Sequence, residues 1–152
     1  MIKPHLLIAA LGTLAVLSGG SIADSGLISV ESRHNVESTT AKLVETLEAR
    51  GIRVFSQIDH SAGAQSVRME LPPTELVIFG APKIGTSLMQ CGRTVGIDLP
   101  LKALIWQDTD GKVWLVYNDP AYLGERHRLN GCEEPLAKLN GTLKGIAAAA
   151  TQ

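Results

Sequence analysis

The segment LKALIWQDTDGKVWLVYND, residues 101–119, contains the strongest folding signal of this 152-residue chain. Two apolar runs flank the dipeptide Asp110-Gly111, which is typical of the tight turn in a β-hairpin. If these two residues form the loop, Trp106 lies opposite Leu115. The segment therefore predicts two adjacent antiparallel strands.

Both faces of the predicted ribbon are apolar. An antiparallel sheet with one face in water alternates apolar and polar residues, so we expect this ribbon to be covered on both sides. Helices would cover one side, and loops, a ligand or a second subunit would cover the other. The first predicted face carries Leu104, Trp106, Val113, Leu115 and Tyr117, and the second carries Leu101, Ala103, Ile105, Trp114 and Val116.

Upstream of the hairpin, strand and helix patterns alternate. Residues 27–31, 52–58 and 74–80 predict strands. The first two are separated by a helix pattern with Asn35 as N-cap and Gly51 just past its end. Together with a final helix over about residues 133–149, the order is strand, helix, four strands with short helical insertions, and helix.

Residues 1–23 have the pattern of a secretory signal peptide. Lys3 precedes an apolar run over residues 6–17, and Ser21 and Ala23 form a small-x-small cleavage site. The run is shorter than the about 20 residues of a membrane-spanning helix. We therefore expect a single mature domain, residues 24–152, in the periplasm or outside the cell and free of the membrane. The alternative is an uncleaved interfacial anchor.

Charge and cysteine content limit the classes of partner. Removal of Lys3 leaves 13 basic and 15 acidic residues, which gives no electrostatic basis for nucleic-acid binding. The short basic cluster Arg126-His127-Arg128 is typical of a solvated helix end. In an oxidising compartment Cys91 and Cys132 favour a disulfide. Two free buried thiols and a thiolate site are the alternatives.

Three blocks of sequence resemble the family known as domain of unknown function 302. They are IDHSAGA at residues 58–64, PPTELVIFGAPKIGTSLM at 72–89, and the run from 97 to 127 that contains the hairpin. The similar core spans about residues 48–128. The resemblance implies a single α+β domain of the TATA-binding-protein-like type, with a β-α-β4-α antiparallel sheet, helices packed on one face, and frequent dimerisation.

The same resemblance offers no catalytic residues. In the family pattern, Asn and Pro occupy two positions of the loop after the third strand, where this chain has Ala81 and Ser87. The departure removes one polar side chain and weakens a ligand role for the loop. A homodimer and a small apolar or anionic ligand are the partners that we expect.

Asp59 and His60 form the first candidate for chemistry. Neighbouring side chains of a strand point to opposite faces, so Asp59 cannot orient the His60 ring unless the backbone turns there. The structural interpretation is that Asp59, or Ser61, caps a short helix beside an exposed His60. The functional alternative is a general base, Asp59 or His60, acting near Thr86 or Ser87.

The loop GAPKIGTS, residues 80–87, is a candidate anion site because it leaves a strand and opens a helix. Lys83 precedes Gly85, so the Walker order is not met, and helix capping by Thr86 and Ser87 is the favoured interpretation. A copper or haem site is a further alternative. Its candidate ligands are His60, Met89, Cys91 and His127, although no CxxCH motif or other cofactor motif is present.

Three functions of different classes follow. The leading hypothesis is an exported, non-catalytic binding or accessory module that uses an apolar pocket or sheet face. The second is an enzyme built on Asp59 and His60, and the third is a periplasmic copper, haem or redox protein. The predicted ligand-binding residues are His60, Lys83, Thr86, Ser87, Trp106, Tyr117, Arg126 and His127.

Overall fold

The computed structural model describes residues 26–152, so the predicted signal peptide lies outside the described residues. The five strands are β1 (Leu27–Ser32), β2 (Arg53–Asp59), β3 (Thr74–Gly80), β4 (Leu101–Gln107) and β5 (Val113–Asn118). The helices are α1 (Val36–Ala49), α2 (His60–Ser66), α3 (Pro82–Cys91), α4 (Pro120–His127) and α5 (Glu133–Thr151), with a 3-10 turn at Arg93–Ile97.

The strands form one antiparallel sheet in the order β1-β5-β4-β3-β2. Helices α1 and α5 pack against each other and against one face of this sheet. The predicted single α+β domain, with its β-α-β4-α order, short helical insertions and helices on one face, is confirmed.

Local sequence signals determine where α1 begins and ends. The Asn35 side chain accepts a hydrogen bond from the Ser38 backbone N–H at 2.8 Å, as expected of an N-cap. Gly51, with φ +69°, follows the helix in the left-handed region that glycine adopts at little cost. Between these ends, Leu43 and Leu47 are almost fully buried against the sheet and α5. The predicted first helix is therefore present with the predicted caps.

The β4–β5 hairpin forms, but its predicted register is wrong by one residue. Trp106 pairs with Trp114, not with Leu115, because the loop comprises residues 108–112 and not Asp110-Gly111 alone. The Asp108 carboxylate accepts hydrogen bonds from the backbone N–H groups of Asp110 and Lys112, each at 2.9 Å. These bonds stabilise a longer loop than the dipeptide predicts.

The Asp108 carboxylate also binds a side chain of the hairpin. The Trp114 indole N–H donates to it at 2.8 Å. This hydrogen bond, aided by the two backbone donors, lowers the pKa of Asp108 below its ordinary value. The carboxylate thereby fixes both the loop and the orientation of Trp114.

The corrected register divides the apolar side chains between two faces. The core face packs under α1 and α5, and its buried members come from the central strands: Val77, Phe79, Leu101, Ala103, Ile105, Val113, Leu115 and Tyr117. We call the other side the open face, since α1 and α5 do not pack on it. Its apolar residues are Leu27, Ile58, Leu76, Ile78, Leu104, Trp106, Trp114 and Val116.

The predicted disulfide is present. Cys91, the last residue of α3, is bonded to Cys132, which directly precedes α5, and their Cα atoms are 6.1 Å apart. Cys132 is fully buried. The bond closes a loop between residues 41 apart in sequence and holds α3 against the start of α5.

Loss of this disulfide should destabilise the fold. On the chain-entropy account a loop of this length is worth about 4 kcal/mol, so the Cys91→Ala/Cys132→Ala variant should unfold at a markedly lower urea concentration than the oxidised protein. Reduced wild-type protein is the matched control, because it keeps both sulfur atoms and lacks only the cross-link. Equal urea midpoints for the reduced and oxidised proteins would contradict the prediction.

Candidate functional site

An apolar cavity of about 380 Å³ opens beside α3, at the end of the sheet where β3 ends and β4 begins. Its volume lies within the range of small-molecule sites, which are commonly concave and mostly apolar. Thr86 supplies the one side-chain hydroxyl of its lining. The cavity is lined by Phe55, Gly80, Ala81, Pro82, Ile84, Gly85, Thr86, Met89, Gly96, Leu99, Pro100 and Leu101.

A β-bulge places Phe55 over this cavity. The register of β2 against β3 shifts between Val54 and Ser56, which leaves Phe55 as the extra residue and 47% exposed. The guanidinium of Arg53 lies 5.1 Å from the centre of the Phe55 ring. A Cβ built on Gly80 would lie 3.6 Å from that ring, an ordinary van der Waals distance, so the ring packs directly against this end of β3.

Helix α3 begins at Pro82, with Ala81 as N-cap and no side-chain cap, so Thr86 and Ser87 lie inside the helix and the expectation that they cap it was wrong. Thr86 lines the apolar cavity, whereas Lys83 and Ser87 line a second groove on the side of α1 and α5. The Ser87 hydroxyl donates to the Ile84 carbonyl oxygen at 2.8 Å. The structure therefore distributes Lys83, Thr86 and Ser87 over two surfaces.

Asp59 caps α2, as the structural interpretation of the Asp59-His60 pair expects. Its carboxylate accepts the Ala62 backbone N–H at 2.9 Å, and His60 is exposed. Asp59 pairs with Glu75 at the start of β3, while Thr86 follows the end of that strand. Six strand residues, about 20 Å, separate the two ends. The structure does not bring Asp59 or His60 near Thr86 or Ser87, so that expectation was wrong.

Trp106 and Tyr117 lie on opposite faces of the sheet and cannot contact one ligand on either face. Trp106 is half-buried on the open face. Tyr117 is 4% exposed on the core face, and burial, with a smaller effect of the nearby Asp119 charge, raises the pKa of its hydroxyl. The prediction that Tyr117 binds a ligand was wrong, because the corrected register turns its side chain under the helices.

His127 forms a hydrogen-bonded cluster that sequence patterns did not reveal. Its Nε2 lies 2.6 Å from Asp98 Oδ2, and its Nδ1 lies 3.1 Å from Thr94 Oγ1. The side chain of His127 is 5% exposed, and Arg126 Nε is 3.6 Å from the same Asp98 oxygen. The cluster attaches α4 to the 3-10 turn. Asp98 and Thr94 lie about 30 residues upstream, so no local pattern could identify them.

The predicted metal ligands do not form one site. Cys91 is in the disulfide, and both ring nitrogens of His127 have protein partners. Met89 lines the apolar cavity, and His60 is on α2 at the other end of β3. Within residues 26–152, no group of three or more His, Cys, Asp or Glu side chains is arranged to hold a metal ion.

Comparison with curated proteins identifies longer relatives from Brucella. The chain is 54% identical over 109 residues to "Fluoride-specific ion channel FluC 1" of Brucella suis biovar 1 (strain 1330), which covers 72% of this chain and 43% of that protein. Matches of the same identity occur with FluC 1 of Brucella abortus and FluC 2 of Brucella melitensis, with 40% of each covered. The chain thus spans about two fifths of these relatives. No helix described in residues 26–152 is long and apolar enough to span a bilayer.

Comparison with solved structures gives the same fold in a distant protein. The crystal structure of an uncharacterized conserved DUF302 protein from Bacillus stearothermophilus matches with a TM-score of 0.75 at 18% identity, over 84% of this chain and 99% of that one. The family model for the domain of unknown function DUF302 matches residues 28–146. The chain therefore belongs to the DUF302 family.

Proposed function

We propose that this protein is an exported, non-catalytic module that binds a small apolar molecule in the cavity beside α3. The observation that carries the proposal is the composition of the cavity wall. Carbon-rich side chains from β2, α3 and the segment before β4, among them Phe55, Ile84 and Leu99, surround it. Transfer of an apolar ligand from water into such a space is favourable by about 25 cal/mol per Å² of area buried.

The separation of the predicted catalytic groups supports a binding role over the enzyme alternative. General acid–base chemistry needs a base within hydrogen-bond reach of the group that it activates. Asp59 and His60 are at the far end of β3 from Thr86. Channel activity is not part of the proposal, because the chain spans only about two fifths of the relatives that carry that name.

Filling the cavity should abolish binding of a small apolar probe such as indole. Gly85 is a lining residue inside α3, and a Cβ at this position would make an ordinary 3.6 Å contact with Leu99. Gly85→Leu should therefore fold and occupy the space of the ligand. Amide chemical-shift titration with indole should show saturable shifts around the cavity in wild-type protein and none in the variant.

Gly85→Ala is the matched control. It adds one methyl group, removes the cost of a helical glycine, about 1 kcal/mol, and leaves most of the cavity free, so it should still bind indole. Indole binding to Gly85→Leu at the wild-type affinity would refute the cavity as the site.

We also propose that the open face is the contact surface of a homodimer. Pairing across the strands sets Ile58, Leu76, Leu104 and Val116 in one row, and Trp106 next to Trp114 in another. The ammonium group of Lys102, also on this face, donates to the Asp98 and Pro100 carbonyl oxygens at 3.0 and 2.9 Å. The centre of the face is thus apolar, because these two hydrogen bonds hold the Lys102 ammonium group at the end of the sheet.

The dimensions of the open face suit this role. Five strands of six or seven residues span about 24 Å by about 20 Å, so the flat outline of the face is somewhat more than half of the about 800 Å² that each partner buries in a standard interface. Two such faces can stack as the sheets of a β-sandwich do. A second copy offers the same apolar surface, so a two-fold contact is self-complementary.

A charge on the open face should weaken the dimer. Leu104→Lys and Ile78→Lys place an ammonium group where the free monomer meets water, so the monomer should keep its circular dichroism spectrum. Sedimentation equilibrium should give the monomer mass for Leu104→Lys and Ile78→Lys and twice that mass for wild-type protein. Ala148→Lys is the control, because Ala148 is an exposed residue of α5 away from the open face, and it should also give twice the monomer mass. A wild-type protein that stays monomeric at high concentration would exclude the dimer.

Export is proposed from the signal-peptide pattern of residues 1–23, and the disulfide supports it because such bonds persist in oxidising compartments. Intact-mass analysis of the protein from the periplasm or medium should show Asp24 as the first residue, since cleavage follows Ala23. A product that keeps Met1 and sediments with membranes would contradict export with cleavage.

A further inference from the structure

A second groove, of about 480 Å³, lies on the opposite side of α3 from the apolar cavity. Its walls are the segment just after α1, the first turns of α3 and the first half of α5. The two spaces share only Ala81 and Ile84, in the first turn of α3. We call this second space the basic groove, and none of the function proposed above uses it.

Cationic side chains from three separate elements meet at the basic groove. They are Arg50 after α1, Lys83 on α3 and Lys138 on α5. Glu134 is the one carboxylate among the lining residues. In the part of the chain that the structure describes, the ammonium groups of Lys83 and Lys138 make no hydrogen bond and no ion pair. Like charges brought together without partners favour the binding of an anion.

The hydrogen bonds of the groove identify the two lysines as the free donors. The Ser87 hydroxyl donates to the Ile84 carbonyl oxygen at 2.8 Å, and the Thr142 hydroxyl donates to the Lys138 carbonyl oxygen at 2.9 Å. One guanidinium nitrogen of Arg50 donates to the Gly145 carbonyl oxygen at 3.4 Å. Lys83 and Lys138 are therefore the side chains with all their N–H groups available to a ligand.

The floor of the basic groove is apolar. Ile84 and Pro135 are half-buried and supply its accessible apolar surface, and Ile52 and Leu139, 8% and 2% exposed, line it as well. Such a floor favours a ligand that has an apolar body as well as a charge. The Cys91–Cys132 bond links α3 to the start of α5, so two of the three walls are covalently joined.

We propose that the basic groove binds an amphipathic organic anion. The acid group of the ligand contacts Lys83 and Lys138, and its apolar chain covers Ile84 and Pro135. An inorganic anion would satisfy the lysines and leave the floor in water. A neutral apolar molecule would cover the floor and leave the lysines without a partner. The chemistry of the groove thus requires both parts in one molecule.

Four small probes separate these contributions in the disulfide-bonded protein at neutral pH and low salt. They are hexanoate, the neutral hexanol, the short acetate, and inorganic phosphate. Hexanoate should shift the backbone amide signals of Ile52, Lys83 and Leu139. It should bind about tenfold or more tightly than each of the other three, since hexanol lacks the charge, and acetate and phosphate lack the apolar chain.

The charge requirement is tested by Lys83→Gln/Lys138→Gln, which keeps most of each side chain and removes both charges. Hexanoate affinity should fall at least tenfold. Lys144→Gln is the matched control, since Lys144 is exposed on the same helix and lies outside the groove. The affinity of Lys144→Gln for hexanoate should stay within twofold of the wild-type value.

Several results would overturn the proposal. Equal affinities for hexanoate and hexanol would remove the role of charge, and equal affinities for hexanoate and acetate or phosphate would remove the role of the floor. Unchanged binding by the double variant would exclude the lysines. Shifts confined to Phe55 and Met89 would place the ligand in the apolar cavity and not in the basic groove.

Discussion

The apolar character of both faces of the β4–β5 hairpin is the constraint on which the rest of the structure depends. A sheet can bury one such face under helices, and here α1 and α5 cover the core face, where Ile105 and Leu115 are almost completely excluded from water. The other face retains Leu104 and two tryptophans. The hairpin carries no polar alternation on this open face, and the dimer that we propose would bury it for the same physical reason that the helices bury the core face.

Helix α3 connects this sheet to the two proposed ligand sites. It follows β3 directly, begins at Pro82, and is attached at its other end to the start of α5 by the disulfide. Its apolar side, with Gly85 and Met89, faces one cavity, and its other side, with Lys83 and Ser87, faces the basic groove. A single amphipathic helix, fixed at both ends, thereby gives the domain two chemically different surfaces.

The His127 cluster has a structural role in this arrangement. The 3-10 turn at Arg93–Ile97 leads into Leu99 and Pro100, which line the apolar cavity. The bond from His127 to Asp98 attaches this segment to α4. The chain thus uses a buried histidine to position a wall of the cavity, and neither ring nitrogen is free to bind a metal ion or a ligand.

The order of the elements, the caps of α1 and α2 and the disulfide could be predicted from the residues alone, because periodicity, Asn35, Asp59 and the pair of cysteines act locally or by composition. The hairpin register has a local cause that the Asp110-Gly111 pattern hid, since the Asp108 carboxylate stabilises a longer loop, and the longer loop moves Tyr117 into the core. Which candidate residues meet was set by the packing of the chain. Contacts across a sheet or between distant helices depend on chain packing, and spacing along the sequence carries no signal for them.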